Sequence, residues 1–138
     1  MTAETPYAKP LPRMLPETAG FWEAARRHQF VVQRCTSCGR QQYFPRAVCH
    51  HCLSESLSWE EVSGRGVIHS FTIIRQAQHA GFSPDVPYVY AIIDLEEGLR
   101  LIANIVRTPH ECVRVGLAVK VAFADVTPDL TLIQFEST

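Results

Sequence analysis

The stretch VQRCTSCGRQQYFPRAVCHHC, residues 32–52, decides how this 138-residue chain is read. It holds two CxxC turns, Cys35-Thr36-Ser37-Cys38 and Cys49-His50-His51-Cys52, with ten residues between them. A CxxC turn directs two sulfurs at one point, and Gly39, just after the first turn, permits a tight backbone. Two such turns supply four thiolates, which close a tetrahedral zinc site and leave no position for water. One structural zinc per chain is therefore expected on Cys35, Cys38, Cys49 and Cys52. His50 and His51 are the alternative ligands, although the thiolates are already correctly spaced. The short interval between the pairs predicts a small ribbon. Some twenty-five residues cannot bury enough apolar surface to order themselves. Zinc coordination, at about 10–16 kcal/mol in such modules, compensates.

Working outward, the five cysteines fit a reducing compartment. The first residues, Met1-Thr2-Ala3-Glu4-Thr5-Pro6, lack the basic and apolar stretches of an export signal, so a cytoplasmic location is expected. There is no apolar run of about 18 residues that would span a membrane. Hydrophobic residues make up 46% of the chain, enough for a packed core. The formal net charge is -1, with 13 Lys plus Arg against 14 Asp plus Glu. An electrostatic grip on nucleic acid needs a basic excess, so none is expected.

Residues 1–16 carry Pro6, Pro10, Pro12 and Pro16 and read as an extended tail, either free or lying along a partner. Residues 17–57 read as a helix followed by the four-cysteine ribbon. Thr18 is the expected N-cap, and Phe21, Trp22, Ala25 and Gln29 follow at helical spacing. Phe30 to Arg34 predicts a strand leading into Cys35. Residues 58–138 read as a barrel. Its first strand would run from Trp59 to Val62 and, after a bend at Ser63-Gly64-Arg65-Gly66, on to Ile74. Pro87 to Asp94 and Leu99 to Val106 make a hairpin around Glu96-Glu97-Gly98. Thr108-Pro109-His110-Glu111 fits a capping box opening one short helical turn, with Gly116 as its stop. Val119 to Ala124 and Thr131 to Phe135 complete five strands. A mainly β chain of this pattern suggests a Greek-key barrel, with the OB-fold the best-known case. An SH3-like barrel or a small sandwich would produce a similar string.

Catalytic chemistry is thinly represented. No glycine-rich phosphate loop occurs. Cys112 is expected to be a small buried apolar residue, since His110 would point elsewhere on a helical turn. His69 and His79 have no carboxylate spaced to orient them, and Asp94, Glu96 and Glu97 read as solvated. The loop from Gln76 to Pro87 is too long for a tight hairpin, and long ordered loops tend to be functional. Phe82 in that loop is expected either to anchor a partner or to plug the barrel mouth. Arg26, Arg27, Arg34, Arg40 and Arg46 are solvated by default, with an acidic partner surface as the functional option.

The order Phe21-Trp22-Glu23-Ala24, Val32-Gln33-Arg34-Cys35-xx-Cys38-Gly39, Pro45-Arg46-xx-Cys49-xx-Cys52, Trp59, Ser63-Gly64-x-Gly66-Val67-Ile68, Asp94-Leu95-xx-Gly98-Leu99 and Phe135 resembles a known family. It is similar to the zinc-ribbon plus OB-fold family filed as domain of unknown function 35, from about residue 17 to residue 135. Two positions depart from the family pattern: His50 stands where proline is common and Leu53 where glycine is. The resemblance implies a small rubredoxin-like zinc ribbon followed by a five-stranded OB-fold barrel. It also implies a non-catalytic accessory subunit that docks onto a thiolase-fold enzyme acting on acyl-CoA thioesters. Acyl-CoA itself and a hydratase subunit are further implied partners. On that reading Phe82, His79, Arg34, Arg40 and Arg46 are the candidate partner or acyl-CoA contacts. The alternative is a single-stranded nucleic-acid-binding OB-fold protein, which would need a basic groove with exposed aromatics.

Overall fold

Thr18 ends the proline-bearing segment by bonding backwards. The Leu15 N–H donates to its Oγ1 at 3.1 Å, and its hydroxyl donates to the Leu15 carbonyl at 3.0 Å. The computed structural model that shows this describes residues 7–138; Pro6 and the other five residues at the start of the expected tail lie outside it. Thr18 holds the N-cap position of helix α1 (Ala19–Arg26), as expected, but its side chain caps no helical N–H. The helix stops short of Gln29. His28 takes a left-handed φ of 57°, and the N–H groups of His28 and Gln29 return to the carbonyls of Ala25 and Ala24 at 2.9 Å each. That is a Schellman closure with histidine where glycine is usual. The buried face of α1 is Phe21, Ala24 and Ala25.

Beyond the helix, β1 (Val31–Cys35), β2 (Gln41–Gln42) and β3 (Leu57–Glu61) form an antiparallel sheet in the order β2-β1-β3. β3 corrects one expectation. Its register with β1, Val32 opposite Glu60 and Arg34 opposite Ser58, places Trp59 in the ribbon sheet rather than at the start of the barrel. The break between the two sheets is Gly64, at a φ of 77°, where a Cβ would stand 2.4 Å from Val121 Cγ1.

The remaining strands are β4 (Arg65–Ile74), β5 (Tyr88–Leu95), β6 (Arg100–Ile105), β7 (Ala118–Thr127) and β8 (Leu130–Ser137). They close a barrel in the order β4-β5-β6-β8-β7. This is the five-stranded OB-fold. Closure depends on Gly66, which pairs with Leu95 of β5 on one side and Val119 of β7 on the other. A Cβ there would lie 2.4 Å from the Asp94 carbonyl oxygen. β6 and β8 are parallel and meet at one pair, Ile105 opposite Phe135.

Alternation sets the core. Val89, Ala91, Ile93 and Leu95 of β5 point inward and are buried, while Tyr88, Tyr90, Ile92 and Asp94 face outward. Phe135 is fully buried and meets the Phe30 ring edge-on at 6.2 Å, which couples barrel to ribbon. The expected capping box does not form. Thr108 Oγ1 donates to the Val106 carbonyl and accepts from Ser137 N–H, so it braces the end of β8, and a 3-10 turn over His110–Cys112 follows Pro109. Among the described residues no helix is long and apolar enough to cross a membrane.

Candidate metal centre

β1 delivers Cys35 to the first turn, and the second turn hangs below β2. The Sγ atoms of Cys35, Cys38, Cys49 and Cys52 lie within 4.8 Å of one another. Cys35 and Cys52 sulfurs are 3.6 Å apart, and those of Cys38 and Cys49 are 3.7 Å apart. A tetrahedron with metal–sulfur bonds of about 2.3 Å has edges of about 3.8 Å, so the cluster fits zinc. The two turns share one construction. Gly39 N–H donates to the Cys35 carbonyl and Leu53 N–H to the Cys49 carbonyl, both at 2.8 Å. Gly39 has a φ of 76° and Leu53 a φ of 65°. Leu53 thus takes the backbone conformation that the family's glycine would take.

Backbone dipoles draw two of the four thiols down. At Cys52 the Ser54 N–H also lowers the thiol, but the neighbouring sulfurs and burial outweigh it and push the thiol up to about 11. Cys38 N–H points at Cys35 Sγ and draws that thiol below its ordinary value. Burial pushes the Cys49 thiol up, but N–H groups of Cys52 and His51 outweigh it and leave it lowered. Both shifts favour the thiolate, the ligating form.

Beneath the second turn lies an amide network that sequence reading missed. Gln33 and Gln42 are buried. Gln42 Nε2 donates to Gln33 Oε1 at 2.6 Å, and Gln42 Oε1 accepts the His50 N–H at 3.0 Å and faces His50 Nδ1 at 2.9 Å. Gln33 in turn clasps the Arg46 backbone, accepting its N–H at 2.8 Å and donating to its carbonyl at 2.9 Å. The only sequence signal was two glutamines at ribbon positions where solvated residues would serve as well.

The candidate contact residues fall on two parts of the molecule. Arg34 grips Glu60 through Nε and Nη2, and its Nη1 donates to the Gly39 carbonyl at 2.6 Å. The guanidinium holds the Glu60 carboxyl below its usual value. Arg34 therefore stitches the ribbon, with its side chain still partly exposed. Arg40 faces His51 Nδ1 at 3.2 Å, and the Arg46 side chain is exposed. His79 and Phe82 lie on the loop between β4 and β5. His79 Nδ1 accepts the Gly81 N–H at 2.9 Å, and Phe82 is half-buried against Tyr88, at 5.9 Å between ring centroids, outside the barrel core.

Two further expectations change, those for His69 and Cys112, and the fold adds a pairing at His28. His69 does meet a carboxylate: Asp94 Oδ2 lies 3.1 Å from its Nδ1, because cross-strand pairing brings the two together, and Arg100 shares the same carboxylate. His28 meets Asp125 at 3.0 Å and stacks on Phe123. Thr131 hydroxyl donates to that same aspartate. Here the carboxylate sits between hydroxyl and imidazole, whereas nucleophilic catalysis needs the imidazole in the middle. Cys112 is exposed rather than buried, since the 3-10 turn carries it outward.

Comparison with known proteins agrees with this geometry. Residues 22–58 match the model of the ChsH2 rubredoxin-like zinc ribbon domain, and residues 59–124 match that of the ChsH2 C-terminal OB-fold domain. A DUF35 domain-containing scaffold protein of Methanocaldococcus jannaschii is 32% identical over 105 residues, covering 75% of this chain and 73% of that protein. A probable enoyl-CoA hydratase alpha subunit of Thermomonospora curvata is 32% identical over 132 residues, 95% of this chain, which spans 41% of that longer protein. The benzoylsuccinyl-CoA thiolase subunit BbsA of Geobacter metallireducens is 38% identical over 72 residues, 52% of this chain and 47% of that subunit. Among solved structures, a chain of the Ltp2-ChsH2(DUF35) aldolase superposes with a TM-score of 0.82 at 31% identity, covering 92% of this chain and 98% of that one. Four converging thiols and a rubredoxin-like ribbon together make one structural zinc the cofactor of this chain. By sequence, by fold and by the order of its ribbon and barrel, the chain belongs to the DUF35 family.

Proposed function

We propose that this chain is a non-catalytic accessory subunit that docks onto a thiolase-fold enzyme, whether thiolase, retro-aldolase or acyltransferase, acting on acyl-CoA thioesters. The observation that carries this reading is the near-complete overlap with one chain of an aldolase assembly, 98% of that chain at a TM-score of 0.82. The relative named as a thiolase subunit and the relative named as a scaffold protein point the same way. Cys35, Cys38, Cys49 and Cys52 hold the zinc, which supplies a cross-link between the two ribbon turns. Four thiolates leave no open coordination position, so the centre shapes a surface and performs no chemistry. Arg34, Arg40, Arg46, His79 and Phe82 are the residues offered to a partner or to acyl-CoA, and a hydratase subunit is a further partner class. The setting is a reducing cytoplasm, with neither nucleic acid nor membrane as partner.

Co-expression with a thiolase-fold enzyme of the same organism tests the reading. The two should co-elute in fixed stoichiometry, and omission of this chain should lower the enzyme's activity or soluble yield. Elution of this chain alone, with the enzyme fully active without it, would overturn the proposal.

A further inference from the structure

On the outer side of the barrel, where β5, β6 and β8 come together, lies a cleft of about 470 Å³. Its floor includes Tyr88, Asn104, Leu132 and Gln134, and Phe82 forms one end. β5 and β6, the second and third barrel strands, and the loop after β4 belong to the face on which OB-folds bind their ligands. Here that face is already roofed by the chain's own Tyr7, Lys9, Pro10 and Pro12.

The roof is fastened at one residue. Lys9 Nζ pairs with Asp85 Oδ2 at 2.6 Å and sits 5.5 Å from the Phe82 ring centroid. Both partners belong to the 3-10 turn Ala80–Asp85 of the β4–β5 loop. Gly81 permits the approach, since a Cβ there would lie 2.5 Å from the Ala8 carbonyl oxygen. Beyond this, the segment has no main-chain hold. Among the described residues, no backbone hydrogen bond joins residues 7–14 to the barrel, and Pro10 and Pro12 have no N–H to donate. Leu11 is 58% exposed.

We propose that residues 7–12 are a latched strap that keeps the OB-fold ligand face closed in the free subunit, with Lys9 as the latch and Asp85 and Phe82 as its catch. Once the strap lifts, the face between Phe82, Tyr88 and Leu132 accepts a flat apolar group. This goes beyond the scaffold reading and does not depend on the partner.

The test uses the full-length zinc-loaded chain, amide order parameters from nuclear magnetic resonance relaxation, and the dye 1-anilinonaphthalene-8-sulfonate. In the wild type, Ala8, Lys9 and Leu11 should have order parameters near the rigid value of about 0.85, and in Asp85→Lys these should fall below about 0.6 while dye fluorescence rises. The double reversal Lys9→Glu with Asp85→Lys should restore order and lower dye binding. Amides of the barrel strands should be unchanged throughout, which separates latch release from unfolding. A strap already mobile in the wild type, no change in Asp85→Lys, or a double variant that stays disordered would each overturn the proposal.

Discussion

Leu53 stands at a left-handed φ of 65° and is 74% exposed, so it carries backbone strain without a burial gain to offset it. For a residue with a Cβ that conformation costs roughly 1–2 kcal/mol. Glycine avoids the cost but gives up about 0.5–1 kcal/mol through the freedom of its unfolded chain. Leu53→Gly should therefore stabilise the zinc-loaded protein by about 0.5–1 kcal/mol, seen as a higher urea midpoint. An unchanged or lower midpoint would show that the leucine side chain supplies a compensating contact. The neighbouring departure, His50, is explained differently. Its main-chain N–H is bonded to Gln42 Oε1 at 3.0 Å, a bond that a proline there could not donate.

At the level of the elements, the ribbon and the barrel depend on different things. The ribbon's β2 is two residues long, and its second turn is held by the thiol cluster and the buried glutamines. Cys38→Ser should leave fewer than one zinc per chain and open residues 30–57 to protease while the barrel persists. Metal analysis and mass mapping of the fragments check this. Undiminished zinc in the variant would mean that His50 or His51 replaces the lost thiolate. The barrel depends instead on a close approach. Gly66→Ala would place a methyl 2.4 Å from the Asp94 carbonyl oxygen and 3.1 Å from Ile93 Cγ2, at the residue where β4 joins both neighbours. Backbone cannot swing aside as a flexible side chain can, so a loss of about 1–3 kcal/mol is expected by chemical denaturation, with zinc content unchanged. A loss under about 0.5 kcal/mol would show that the strands shift freely at that crossing.

Over the whole molecule, charge is divided unevenly. No Asp or Glu occurs between Phe30 and Ser54, yet the net charge of the chain is -1. The ribbon arginines are partly consumed within the fold, Arg34 by Glu60, and the barrel face that an oligonucleotide would use lies under the chain's own residues 7–12. Oligo-dT should therefore show no saturable binding at micromolar concentration and physiological salt in fluorescence anisotropy. Salt-sensitive binding that is lost in Arg40→Glu or Arg46→Glu would place a nucleic-acid site on the ribbon instead. The sequence by itself determined the ribbon, the barrel strands after Gly64 and the hairpin at Gly98, because cysteine spacing, period-two alternation and glycine turns are local signals. It did not determine that β3 joins the ribbon sheet, that Asp94 meets His69 or that Arg34 pairs with Glu60, because cross-strand register brings those residues together across 22 to 30 positions. The strap over the ligand face was equally hidden. A proline-rich tail specifies an extended chain, and only the folded β4–β5 loop, with Asp85 and Phe82 brought beside Lys9, decides where that chain lies.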